Sequence, residues 1–232
     1  MRTLLQIVQD ACRDVGQPRP SVVASATEAT SGRMLRLLNK AGQQLIKDHD
    51  WSILMNVRSF TPLAAETQVE PPSDYDRITS QSGLWDVNNK RPVVGPIAME
   101  KWLRLTIDNV ASIDKYWRLI GSVIHILPAP TATDSFRYSY QSKNWVANAS
   151  GMPKPNFTAD DDYPLIHDEL LTLELVWRWK QEIGIDYAED LANSARLKEV
   201  IIAADRGPSI LSLSQPNGGS LPENFWPGVI TP

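Results

Sequence analysis

Asp160, Asp161 and Asp162, followed closely by Asp168 and Glu169, form the densest carboxylate set in the chain. Such a set can hold calcium or magnesium, or share acid–base work. This one lacks the ligand spacing and loop glycine of an EF-hand. Negative charge and the nearby Pro164 both suit a helix start, so the run is expected to cap a helix. The three histidines, His49, His125 and His167, are far apart in the sequence. Each has a structural place: a helix end, a hairpin strand and a first helical turn. Cys12 is the only cysteine, which excludes an intrachain disulfide and a cysteine zinc site. It lies beside an apolar helix face, as a small buried hydrophobe would. The phosphate loop, the dinucleotide-binding glycine pattern and the G-x-S-x-G nucleophile elbow are all missing. Aromatic and basic residues meet at Lys143, Asn144 and Trp145 and at Lys115, Trp117 and Arg118, where they could stack on bases. Strand alternation and the acidic balance favour packing and cation–π contacts instead. No catalytic, metal or cofactor-binding residue is assigned, and no cofactor.

The chain of 232 residues is long enough to bury a sizeable core in one or two domains. Its 42% hydrophobic and 22% charged residues are ordinary for a globular protein. A net charge of −4 argues against a general nucleic-acid binder, although an acidic surface suits DNA that must slide past. No segment approaches the roughly 20 apolar residues of a membrane span. The amino terminus, MRTLLQIVQDACRDVG, keeps helical period through its charges and does not read as a signal peptide, so a reducing cytosol is expected.

The elements that must position these residues begin with a helix over residues 3–15, with Leu4, Val8, Ala11 and Val15 on one face. Gly16, Pro18 and Pro20 end it. A second helix is predicted from Ser25, with a Ser25–Glu28 capping box, to about His49; Met34, Leu38, Ala41 and Leu45 form its stripe. After Trp51 the pattern turns to strands. Trp51, Ile53, Met55 and Val57 alternate on one face. RPVVGPI, a hairpin of Tyr116–Ile120 and Val123–Leu127 around Gly121 and Ser122, and SFRYSYQS follow. Short helices are predicted at residues 73–78 and 98–105.

The carboxy-terminal hairpin carries the strongest signal. In its first helix, entered from FTADDDYP, Ile166, Leu170, Leu173 and Trp177 share one face. Leu171, Leu175 and Trp179 share a second, nearly opposite, with Leu165, Val176 and Ile183 between. A helix apolar on most sides is buried on most sides. The second face could pack on the β region of the same chain or on another subunit, and these three residues are the candidate subunit seam. Gly184 ends this helix. Asp186 can cap the next, where Tyr187, Leu191, Ala195 and Ile202 give one stripe. The fold class is therefore α+β: a helical bundle from amino- and carboxy-terminal hairpins (1–50 and 159–206), an inserted, mostly antiparallel β domain (51–158) and an extended tail (207–232). That tail has no helical period yet carries Ile210, Leu211, Leu213, Phe225, Trp226, Val229 and Ile230, which suits a segment lying on another surface.

The order of segments resembles the head-to-tail adaptor proteins of short-tailed bacteriophages, the tail tubular protein A-like family, over residues 1 to about 206. The resemblance is carried by the opening helical pair, the Trp-led strand after H-D-W, PPSDYDRI, RPVVGPI, HILPAP, YQSKNWV and the FTADDDYP hairpin. It implies a non-enzymatic virion protein of the neck, made in the host cytoplasm and assembled as a ring, usually of twelve copies. Such a ring sits under the portal protein, extends the DNA channel without sequence-specific binding and offers a platform to the tail nozzle or tube protein. The resemblance also implies that the tail, with Ile210, Leu211, Leu213, Phe225 and Trp226, reaches the portal. The alternative is a tail-associated enzyme, a cell-wall hydrolase or metal-dependent nuclease, for which residues 160–162 with Glu169 are the only local candidates. A DNA-binding module using the aromatic-basic strands is a third reading.

Overall fold

The computed structural model describes residues 1–79, 83–108, 114–131 and 133–206. Within them the chain is α+β, with helices at both ends and short antiparallel strands between. Helix α1 (Leu4–Asp14) starts from a capping box: Thr3 N–H donates to Gln6 Oε1, and Gln6 N–H to the Thr3 hydroxyl. The carbonyls of Asp162 and Asp160 accept from the N–H groups of Leu4 and Leu5, which the helix itself leaves unpaired. Helix α2 (Ala29–Asp48) begins four residues later than its sequence suggests, with Glu28 as N-cap and no side-chain cap. The proposed Ser25–Glu28 box does not form. The backbone just ahead is tied elsewhere, with Val23 and Ala24 N–H both donating to Asp160 Oδ1 at 3.0 and 2.7 Å.

Trp51 does not lead a strand. It turns into the helical core, its indole N–H donating to the Leu45 carbonyl at 2.8 Å, and residues Ser52–Leu54 make a 3-10 turn. Strand β1 (Met55–Phe60) then starts, with Met55 and Val57 outward and exposed. Residues 73–78 are also not helical: Tyr75–Ile78 is strand β2, paired to β7 (Phe136–Ser142). The local pattern is overridden there by tertiary pairing. β7 is the centre of a five-stranded antiparallel sheet. It carries β1 on one side and, on the other, β2 and β3 (Trp85–Asp86), which pairs with β4 (Arg91–Pro92). RPVVGPI is thus a two-residue strand followed by a parallel bridge from Val94 to Tyr116. Helix α3 (Met99–Asp108) comes next. The β5–β6 hairpin (Tyr116–Ile120, Val123–Leu127) turns at Gly121, whose φ of +62° suits glycine. A small sheet, β10–β8–β9 (Tyr163–Pro164, Val146–Ala147, Pro153–Lys154), leads to α4 (Asp168–Ile183) and α5 (Ala188–Arg206).

Two cores result. One gathers Phe60, Leu84, Trp117, Ile126, Phe136, Tyr138 and Tyr140 between the five-stranded sheet and the β5–β6 hairpin. The other joins α1, α2 and α4, and takes in Trp51, Leu54, Trp145, Val146 and Phe157 from both ends of the 51–158 span. Arg77 ties the two regions together. It donates to Asp50 and to the Ile46 and His49 carbonyls, capping the C-terminal end of α2 from strand β2.

Within the helical core the Trp145 ring lies flat on Gly42 of α2, where an added Cβ would come within 2.1 Å of it. Gly42→Ala gains helix propensity of about 1 kcal/mol but overfills this contact. We expect a net loss of about 1–3 kcal/mol in urea unfolding, where an exposed helical glycine would show a gain.

In the β region Lys115 Nζ bridges Asp86 and Asp134 at 2.8 Å each. Burial pushes both carboxyls up. The Lys115 hydrogen bonds, helped by Asn89 at Asp86 and Thr131 at Asp134, outweigh it, and both end below the ordinary value of 3.8. Their stabilisation is therefore complete above pH 3.8 and lost as pH falls through the lower folded values. Lys115→Met leaves Asp86 buried without a cation, a loss of about 3–5 kcal/mol near neutral pH. The variant should recover stability on mild acidification, where these groups give the wild type no change; urea midpoints at pH 7 and about pH 4.5 check the difference.

Candidate assembly surfaces

Helix α4 is capped at its far end by Gly184 in the left-handed conformation (φ +77°), as its sequence predicts. Its start differs from expectation. The aspartate run lies before the helix, not in its first turn, and Pro164 sits in β10. Asp162 is fully buried, accepts from the Thr158 and Ala159 N–H groups at 2.7 and 2.8 Å, and pairs with Lys154. His167 is the N-cap, and Asp168 and Glu169 supply the first-turn charge. Asp168 also takes the Arg2 N–H at 2.9 Å and the Arg2 guanidinium. Burial opposes its ionisation, but these Arg2 contacts bring its pKa below the ordinary value.

The candidate seam requires correction. Leu171 and Leu175 are 0% exposed and Trp179 is 5% exposed in the single chain. They share one core with Ile166 and Leu170, because α1, α2 and α5 all pack on α4 and cover this face. The half-buried members are Leu173 and Trp177, on the face expected to be the inner one. Trp177 is covered by Tyr187 and by the Arg178 guanidinium, 4.3 Å from the ring centre. A polar cluster that sequence reasoning missed fills the remaining side. Buried Glu174 accepts from Arg178 at 2.7 Å and from the Ser194 hydroxyl at 2.6 Å, while Arg178 also reaches Gln44 of α2. The Glu174–Arg178 spacing of one helical turn was the available signal.

That cluster sets the roll of α5. Ser194 faces inward, with Leu197 and Ile201 half buried beside it; of the proposed stripe, Tyr187 and Ile202 are half buried as well. Leu191 and Ala195, assigned to the inner stripe, are exposed. Apolar surface therefore remains in water on the outside of the hairpin, at Ile183, Ile185, Leu191 and Val200. Similar surface lies along α3, where Met99, Leu103 and Ile107 recur every four residues, and on the sheet at Met55, Val57 and Trp85. The tail residues Ile210, Leu211, Leu213, Phe225 and Trp226 lie outside the described residues.

The other candidates are spread through the fold. His49 contacts Asp205 at 2.9 Å, His125 contacts Glu66 at 3.2 Å, and Cys12 is buried against Met34. Trp117 and Trp145 are buried and cannot stack on bases, which removes the basis of the DNA-binding reading; Lys115 instead lies over the Phe136 ring at 5.0 Å. Among the described residues no group of three or more His, Cys, Asp or Glu could hold a metal ion. A cleft of about 510 Å³ between α4, α5 and the Trp51 turn does include two carboxylates, Asp168 and Asp205. At Asp205, burial is outweighed by the Ser52 hydroxyl and N–H and by His49, and its pKa also falls. A general acid needs the opposite shift.

The corrected burial separates two classes of substitution. Leu175→Ala should cost about 2–5 kcal/mol in dilute solution, because it opens a cavity in the single chain. Val200→Asp, at a site 61% exposed, should change monomer stability by no more than about 0.5 kcal/mol. Urea unfolding at low concentration checks both.

Compared with known proteins, the chain matches no family model and no curated protein sequence.

Proposed function

We propose that this chain is a head-to-tail adaptor of a short-tailed bacteriophage, a structural virion protein with no catalytic role. One observation carries the reading: two cores are filled within the chain, yet apolar side chains remain exposed on the α4–α5 hairpin, on α3 and on the β sheet. Separated apolar patches suit contacts with several partners. A closed ring needs two different patches per subunit, since each subunit meets its neighbours head to tail. The outer side of α5, with Leu191 and Val200, replaces the buried α4 residues as the proposed seam. In this reading the amino- and carboxy-terminal hairpins form the bundle of the ring wall, in about twelve copies. The β region and α3 face the tail nozzle or tube protein. The tail after Arg206, with Ile210, Leu211, Leu213, Phe225 and Trp226, engages the portal protein. The acidic balance suits a channel through which DNA passes without being held.

Light scattering on the purified protein mixed with its cognate portal protein tests the proposal. A ring-sized complex is expected, and Val200→Asp should reduce its yield. Truncation after Arg206 should weaken portal binding while leaving helical content unchanged. A chain that stays monomeric with portal present would overturn the adaptor reading, and full binding by the truncated form would remove the tail from it.

A further inference from the structure

Every exposed residue of α2 from Arg33 to Lys47 is basic or an amide: Arg33, Arg36, Lys40, Gln43, Gln44 and Lys47. They fall within about 100° of the helix circumference and run about 21 Å along its axis. The opposite face is fixed in the helical core by Met34, Leu38 and Leu45, and Gly42 lies against the Trp145 ring. The basic face is therefore held outward as a straight row.

Such a row is unusual in a chain whose 27 carboxylates outnumber its 23 lysines and arginines. Arg2, Arg77, Lys115, Lys154, Arg178 and Lys180 each pair with a carboxylate. Arg33, Lys40 and Lys47 have no ion-pair partner among the described residues. They recur every seven residues, about 10.5 Å apart. Helix α2 holds no carboxylate before Asp48, and that one pairs with Lys198. Only Arg36 is neutralised, by Glu182 of α4 at 2.8 Å. Arg33 with Arg36, and Arg36 with Lys40, are like charges one turn apart, which weakens a helix. The stability of the fold does not account for this arrangement; an anionic partner does.

We infer that the outer face of α2 is a contact surface for the phosphate backbone of a nucleic-acid duplex, with Arg33, Lys40 and Lys47 as the phosphate-binding residues. Protein interfaces rely on apolar anchors and are poor in lysine, and this face has no exposed apolar side chain between Arg33 and Lys47. Phosphates are held by arginine and lysine without regard to base sequence. The contact uses no base stacking and no residue of the aromatic-basic strands. Three free cations on a chain of net charge −4 make it weak and quickly exchanged. The inference goes beyond the adaptor reading and does not depend on it. In an adaptor ring it would turn α2 toward the channel.

Fluorescence anisotropy of a labelled duplex of about 30 base pairs, titrated with the full-length protein, tests it. Between about 50 and 200 mM salt the affinity should fall roughly fortyfold, a logarithmic slope near −3. Two duplexes of unrelated sequence should bind alike. The Arg33→Gln/Lys40→Gln/Lys47→Gln variant should lose about tenfold or more at low salt. It should keep its helical content, because glutamine has a similar helix propensity. Glu182→Gln should act the other way, freeing Arg36 and tightening binding severalfold, a gain that damage to the fold would not give. No binding at about 20 mM salt, or equal affinity in wild type and triple variant, overturns the proposal. Self-association in sedimentation that the triple variant loses, without duplex binding by the wild type, also overturns it and assigns the face to a second copy. If the triple variant unfolds, the salt slope and Glu182→Gln decide.

Discussion

The packing of three helices around the middle of α4 is the constraint on which the other features depend. Its side chains meet α1, α2 and α5 at once, so each of those helices has its angle and roll set by a common surface. The apolar sides are closed by Leu170, Leu171, Leu175, Val176 and Trp179. The polar side is closed by Glu174, held between Arg178 and Ser194. A buried carboxylate without such partners would be costly, and this requirement turns Ser194 of α5 inward. With α5 rolled that way, Leu191 and Val200 stay exposed.

Carboxylates do much of the remaining positioning. Asp160 holds the backbone ahead of α2, Asp162 closes the loop ahead of β10, and Asp168 holds the chain start at Arg2. Asp205 fastens the end of α5 to the turn before β1. Each accepts hydrogen bonds from backbone N–H groups that would otherwise be unpaired, which is a strong use of a charged acceptor. The residues that look most like chemistry in the sequence are therefore fasteners between segments far apart in the chain. The same fasteners bring both termini of the described fold beside the Trp51 turn, where Met1 and Asp205 line one cleft.

Much of this fold could be read from periodicity. Helix α1, most of α2, the α4 end at Gly184 and the β5–β6 hairpin follow from spacing and from glycine position, because each is stabilised by contacts local in sequence. Misreadings fall where a distant partner decides. The Ser25 cap loses to Asp160, the 73–78 helix loses to pairing with β7, and the Trp51 strand loses to a place under α2. The candidate seam was misassigned for a related reason. Periodicity shows that Leu171, Leu175 and Trp179 share a face, but not whether the chain itself covers that face.

The sequence alone determined the α+β class, the order of the helices, the apolar excess of the carboxy-terminal hairpin and the lack of known catalytic motifs. These are properties of composition and local spacing, and they do not require knowing which segments meet. Only the tertiary structure decided which apolar residues stay in water, since exposure is what remains after every partner has been placed. It moved the available surface from Leu171, Leu175 and Trp179 to Leu191 and Val200 on α5, and to Met55 and Val57 on β1. The roll of a helix about a buried ion pair and the position of a strand in its sheet both arise from contacts between residues far apart in the chain.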